Sequence, residues 1–500
     1  MVTASPPFVG TIDQGTTGTR FVVFDTAGTP IGDGFVSHER TLTPPNRVEY
    51  DATEIWECTR AAIQEGIDRA GVEHGELAAI GIANQRQTIV AWDADGEPIV
   101  PAQSWQDRRA ESVVGELPST DKAFIEERTG LVVDPYFFGL KLAWLLKNET
   151  YRGRPLVEAA LAGDVTIGSI DSWLLEKLTG RWRTDVTNAS QSLLFDQTRM
   201  QWDTAVLERL SIPKRILPPV SPSGIADVYG STDVGGLLSE EIPVTGVIGN
   251  QQAALVGHAG FERGTTKVSY GSGNFALQNV GTEQPDQTEG LLSTVWFHVA
   301  GNEPLYGLEG PILTTGTTLE WLESLGLLPE HGRLVPTDGS ECLGTQPIIT
   351  PTIHGTGAPH WQSDVGGTMT RLSRFTNRQD IVRGVIDGIG FATRRILDQI
   401  AETSGLSTDV IHIDGGAMGD DGFAGRQADL LGRQLIRGKV VQTSALGAFY
   451  TAGLAIELWD GTEEISSQWQ QDRKFEQSGG SAVDSRYEQW VAIADNRFLS

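Results

Sequence analysis

Apolar and polar positions alternate along this chain in two recurring patterns, one of strand period and one of helical period. Residues 8–13 (FVGTID) and 20–24 (RFVVF) are strand-length apolar runs that flank the turn QGTTGT, and a third run follows at 30–36. Asp51 then stands as an N-cap three residues before Glu54, and Ile55, Ala62, Ile63 and Ile67 trace an apolar stripe at helical spacing. Residues 77–83 and 88–92 read as strands, and 166–178 as a strand running into a helix. A further strand at 242–248 ends in Gly249-Asn250-Gln251-Gln252, which opens a helix. The second half repeats the opening: a strand at 265–270, the turn Gly271-Ser272-Gly273-Asn274, and a returning strand at 275–280. A long helix at 381–400 and a strand at 410–413 lead into Asp414-Gly415-Gly416, and a last helix over 443–458 begins with the small residues Ala445-Leu446-Gly447-Ala448.

Strands that alternate with helices in this way predict an α/β protein. Two strand–glycine turn–strand units predict an internal duplication, with the two turns facing one another across a cleft. The pattern divides the chain into an N-terminal domain at 1–257, a C-terminal domain at 258–460 and a tail at 461–500 rich in Gln, Ser and acidic residues.

Composition narrows the function classes. No apolar run approaches the ~18 residues of a membrane span, and the start MVTASPPF has neither a basic nor an apolar signal region. Cys58 and Cys342 lie far apart without metal-ligand spacing, which predicts a reducing compartment, the cytoplasm. A net charge of −27 disfavours nucleic acid and anionic lipid as partners. It fits a salty cytosol, where a Debye length of about 3 Å at 1 M relieves self-repulsion, and equally a solvated surface charge of no special meaning.

The first turn carries the most specific chemistry. Gly15 and Gly18 free backbone N–H groups for an anion, Thr16, Thr17 and Thr19 add hydroxyls, and Asp13 is placed to hold water on a phosphate-bound Mg²⁺. Taken alone, the same turn also fits an ordinary β-hairpin. No G-x-x-x-x-G-K-[ST] run is present.

The stretches FVGTIDQGTTGTRFVVFD, GIANQRQT, SWQDRR, TGLVVDPYF, GNQQAAL, YGSGNFAL, GAPHW, IDGGA and ALGAFYTAGLA, in this order, resemble the FGGY sugar-kinase family of the actin-like ATPase superfamily, and within it the glycerol kinase branch. The resemblance implies two actin-like (ribonuclease H-like) domains facing a nucleotide cleft, with ATP and Mg²⁺ as cofactors and a dimeric or tetrameric assembly. The implied reaction is phosphoryl transfer to a primary hydroxyl of glycerol or a related small polyol or sugar acid. Thr16, Thr17, Gly18 and Arg20 are implied at the nucleotide phosphates, with Asp13 at the metal. Ser272, Gly316, Glu320, Gly416 and Asp420 are implied at the second phosphate contact and adenosine pocket. Arg86, Gln87, Trp105, Tyr136, Asn250, Gln251 and Phe275 are implied in the polyol pocket.

Two positions of the implied polyol pocket break the family pattern. The family's proton-accepting Asp is Asn250 here, and the Glu of glycerol kinases is Gln87. An amide accepts a hydrogen bond but takes no proton near neutral pH. With both carboxylates gone, the charge of Arg86 predicts a pocket that favours an anionic acceptor. The alternative function is a catalytically impaired nucleotide and ligand sensor.

Overall fold

The computed structural model describes residues 7–232, 236–328, 346–353, 355–478 and 480–498; Cys342 lies outside them. The first half is organised by β1 (Phe8–Gln14), β2 (Gly18–Phe24), β3 (Pro30–Ser37), β4 (Leu77–Asn84) and β5 (Val244–Gly249), in the sheet order β5-β4-β1-β2-β3. The hairpins β1/β2 and β2/β3 are antiparallel, whereas β1/β4 and β4/β5 are parallel. Alternate residues of β1 point to opposite faces, and both faces are covered. Phe8 and Ile12 pack with Phe21, Ile63 and Ile67 on the side of α1 (Ala52–Ala70), while Val9 packs with Val22 and Phe24 on the other. Asp51 caps α1 as expected, accepting from Thr53 N at 2.8 Å; Glu54 turns away to accept from the backbone of Glu39 instead.

The second half contains β6 (Thr266–Tyr270), β7 (Asn274–Gly281), β8 (Leu292–Phe297), β9 (Leu305–Ile312), β10 (Val410–Asp414), β11 (Gln434–Gly438) and β12 (Gln471–Phe475), ordered β8-β9-β7-β6-β10-β11-β12. Its run β9-β7-β6-β10-β11 repeats the first half's β3-β2-β1-β4-β5 with the same parallel and antiparallel pairs. Residues beyond 461 are no separate tail. β12 pairs with β11, and Val483, Trp490 and Ala494 of the last helix pack with Ile348, Phe391 and Leu430.

Four further helices matter for the site: α2 (Phe138–Asn148), α3 (Asn250–Gly257), α4 (Gly316–Ser324) and α5 (Arg378–Ser404), the last packed on β7 and β9. Two more follow, α6 (Asp421–Leu431) and α7 (Thr443–Ala455). α7 lies late in the chain yet packs on α3, β1, β4 and β5 of the first sheet. Its small residues make this possible: a Cβ on Gly447 would sit 1.8 Å from Ala253 O, and one on Gly81 would sit 2.5 Å from Ala448 O. The halves are also stitched along β8, where Ser293 N donates to Gly130 O at 2.9 Å and Gln252 donates to Thr294 Oγ1 at 3.0 Å.

Candidate active site

Parallel strands of an open α/β sheet end where ligands bind. Here the carboxyl ends of β1, β4 and β5, the β6–β7 turn and the segment after β10 converge on one cleft of about 420 Å³. The β1–β2 turn brings Asp13, Thr16, Thr17 and Arg20 to its wall. The turn is closed by Gly15 N donating to Gly18 O at 2.9 Å, and Gly18 itself packs away from the cleft, where a Cβ would meet Val36 O at 2.6 Å. Opposite lie Gly271, Ser272 and Gly273, with Gly416 beside them. Gly415 is required by geometry: its φ is +99° and a Cβ would lie 2.3 Å from Tyr270 O.

The other end of the cleft is aromatic. Trp105 lies 6.0 Å from Tyr136 and 6.2 Å from Phe275 between ring centroids, all edge to face, and Trp105 Nε1 donates to Thr16 Oγ1 at 3.0 Å. That bond ties the phosphate-type turn to the aromatic wall. Arg86, Asn250 and Gln251 complete this end. Gly249, at the mouth of α3, leaves room for Arg86, whose Cδ would lie 2.9 Å from a Cβ there.

Electrostatics explains how these groups are held. Arg86 is buried and makes two 2.6 Å bonds to the two oxygens of Glu309 on β9, a bidentate pair. Burial acts against the guanidinium charge, and Glu309 and Tyr136 together more than offset it. The expected uncompensated positive charge of the pocket is therefore absent: Glu309 neutralises Arg86. Lys267 on β6 is fully buried and bonds Gln251 Oε1, Ser269 Oγ at 2.9 Å and Phe275 O at 3.2 Å. Because Lys267 can only donate, it fixes the Gln251 amide with its oxygen inward, leaving its NH₂ as the donor end. Burial lowers the Lys267 pKa to about 8 against the pull of Asp414 and Glu309. Burial likewise raises Asp13 to about 6, with Arg20 opposing and Asp414 reinforcing. Asp414 is itself anchored by His258 Nε2 at 2.9 Å.

Several residues expected at the site lie outside the cleft lining. Gln87 is spent on structure: its Nε2 donates to Gln191 O at 2.6 Å and its Oε1 accepts from Phe138 N at 2.7 Å, capping α2. Glu320 on α4 pairs with Arg40 at 3.5 Å, and Asp420 is the N-cap of α6, accepting from Gly422 N at 2.8 Å. Gly316 backs the second turn, its N donating to Gly271 O at 3.0 Å. Glu309, Lys267, Gln85 and Phe35 carry no role in the sequence reading. A signal existed for two of them: a lone Glu in LYGLEGPI and a lone Lys in TKVSY, each inside a buried strand, demand a buried counter-group.

Two family models cover almost the whole chain, the N-terminal domain of the FGGY family of carbohydrate kinases at residues 8–257 and its C-terminal domain at 266–456. The chain belongs to the FGGY family of carbohydrate kinases. It is 41% identical to a glycerol kinase of Halobacterium salinarum over 98% of each chain, and 39% identical to one of Haloquadratum walsbyi over 97% of this chain and 96% of the other. A crystal structure of Plasmodium falciparum glycerol kinase with ADP superposes with a TM-score of 0.83, at 28% identity and 99% coverage of both chains. As an FGGY kinase the chain is an ATP-dependent phosphotransferase with the two-domain fold of that family. Among the described residues no helix is long and apolar enough to cross a membrane.

Proposed function

We propose that this FGGY kinase transfers the γ-phosphoryl group of ATP to a primary hydroxyl of glycerol. The observation that carries this reading is the convergence of both glycine turns and an aromatic-walled end on a single cavity. Trp105 and Phe275 offer apolar faces to a short carbon chain, while Arg86 and the Gln251 NH₂ offer donors to its hydroxyls. Thr16, Thr17 and Ser272 supply hydroxyls, and the turns around them backbone N–H groups, for the phosphates. Among the described residues no group of three or more acidic, His or Cys side chains could cage a metal. Mg²⁺ would accordingly ride on the phosphates with Asp13 as its protein carboxylate, neutralising charge on the transferred group. Closure of the two halves would exclude water and limit futile hydrolysis. The reading also includes a homo-oligomeric assembly.

Asn250 bears on rate more than on binding. A positioned base contributes about 10²–10⁴-fold, whereas phosphoryl transfer through a loose transition state rests mainly on alignment and charge. An amide at this position slows such a kinase without removing the reaction. The names of the relatives weigh against a non-catalytic sensor. The test is product formation from ATP, Mg²⁺ and glycerol, followed by phosphorus NMR, with Asn250→Asp alongside. Glycerol phosphate from the unaltered protein is the expected result; turnover by the variant alone would favour the sensor.

A further inference from the structure

The acceptor end of the cleft is walled by rings from both halves, and one more ring stands behind it, outside the cleft lining. Trp361 of the second half has its ring centroid 6.3 Å from Tyr136 and 5.9 Å from Phe137 of the first. Trp361, Tyr136, Trp105 and Phe275 thus form one string of rings, with successive centroids 6.3, 6.0 and 6.2 Å apart. The string begins and ends in the second half.

Trp361 is held in its own half by hydrogen bonds. Its Nε1 donates to Gly290 O at 2.7 Å and its backbone N to Gly357 O at 2.9 Å. The neighbouring Ala358 N donates to Pro311 O at 3.0 Å, and Pro311 is the β9 residue paired with Phe275. The loop therefore hangs from a strand that borders the same wall. Trp361 also has φ +51°, a left-handed backbone that is an outlier for so bulky a residue. Such strain persists where the surroundings over-determine it, and it gathers at sites with a task.

What Trp361 can govern is the ring of Tyr136. The backbone of Tyr136 is fixed on both sides, its N–H donating to Asp134 Oδ1 at 2.8 Å and its carbonyl accepting from the fully buried Lys141. Neither bond sets the ring angle; the rings of Trp105, Phe137 and Trp361 packed around it do. The Tyr136 hydroxyl oxygen in turn accepts from the Arg86 guanidinium, one of the donors offered to the acceptor. Resting on the reading of the cleft as a glycerol kinase site, we propose that Trp361 is a positioning residue for the acceptor. Reaching over from the second half, it sets the Tyr136 ring and through it the Arg86 guanidinium. The acceptor pocket is complete only while the two halves touch at this ring.

The test is steady-state kinetics with ATP, Mg²⁺ and glycerol for the unaltered protein, Trp361→Gly and Trp361→Phe. Glycine adopts the left-handed backbone freely, so Trp361→Gly removes the ring and keeps the loop. It is expected to raise KM for glycerol about 10-fold, the upper end of what an aromatic contact contributes, with kcat and KM for ATP within about twofold. Trp361→Phe keeps a ring and is expected to hold KM for glycerol within about threefold of the unaltered protein. In a Tyr136→Leu background no ring is left to set, and Trp361→Gly is expected to raise KM no further. Trp361→Asn, which also tolerates this backbone, replaces the glycine variant should that one fold poorly. An unchanged KM for glycerol in a folded variant without the ring, equal rises in KM for ATP and glycerol, or full additivity with Tyr136→Leu overturns the positioning role alone. Absence of glycerol turnover by the unaltered protein overturns the glycerol kinase reading as well.

Discussion

In the first half the turn after β1 carries Asp13, Thr16, Thr17 and Arg20; in the second the corresponding turn after β6 carries Gly271, Ser272 and Gly273. The strand orders behind these turns are the same. What differs is where each half keeps its charge. The first half presents Asp13 and Arg20 to the cleft itself, whereas the second holds Glu309, Lys267 and Asp414 in its strands as buried partners. Glu309 neutralises Arg86 and Lys267 orients Gln251, both first-half groups. One scaffold, used twice, thus presents charged groups to the cleft from one copy and counter-charges with a small-residue wall from the other.

The strongest way to break this division is to remove a cleft charge from the first half. Asp13→Ala is expected to lower kcat by about 10³-fold, comparable to losing a main electrostatic contact of a transition state, with the melting temperature little changed. An equal loss from Ser272→Ala would contradict the asymmetry.

Next comes the buried counter-charge. Glu309→Ala strands the Arg86 guanidinium in a dry site and is expected to destabilise the protein by about 3–5 kcal/mol, read by urea denaturation. A change under about 1 kcal/mol would mean that Arg86 finds water or another acceptor.

Asn250→Asp sharpens the comparison from the side of chemistry. Restoring a carboxylate at the mouth of α3 is expected to raise kcat by about 10²-fold, at the low end of general-base contributions, with KM for glycerol nearly unchanged.

The pH dependence of acceptor binding tests Lys267. Above about pH 8 its ammonium becomes a neutral amine with two N–H donors for three acceptors, so its hold on the Gln251 oxygen weakens and KM for glycerol is expected to rise several-fold between pH 8 and 9.5. The same lowered pKa costs stability at neutral pH, a cost that fades as pH rises from about 8 towards 10.5. Lys267→Met should flatten the KM profile. The smallest effect is expected from salt: with so large a negative charge, the melting temperature should rise by a few degrees between low and molar KCl.

Much of this organisation was legible in the chain before any coordinates. The turn glycines, apolar runs and small-residue helix start marked both halves, because backbone approach and two-sided burial leave local traces in residue type. The convergence of Trp105, Tyr136 and Phe275 followed from the family resemblance and is realised in one wall. The cap that Gln87 gives the helix at Phe138 was not legible, since nothing local says whether an amide after a strand bonds a segment far along the chain.

The sequence by itself determined the duplicated strand–glycine turn–strand units and the amide at position 250, since these depend on short-range patterning and on residue identity. Only the tertiary structure decided that α7 serves the first sheet, that β12 closes the second, and that Glu309 cancels Arg86. Those outcomes rest on contacts between segments hundreds of residues apart, where burial selects partners by shape and charge that no neighbouring residue encodes.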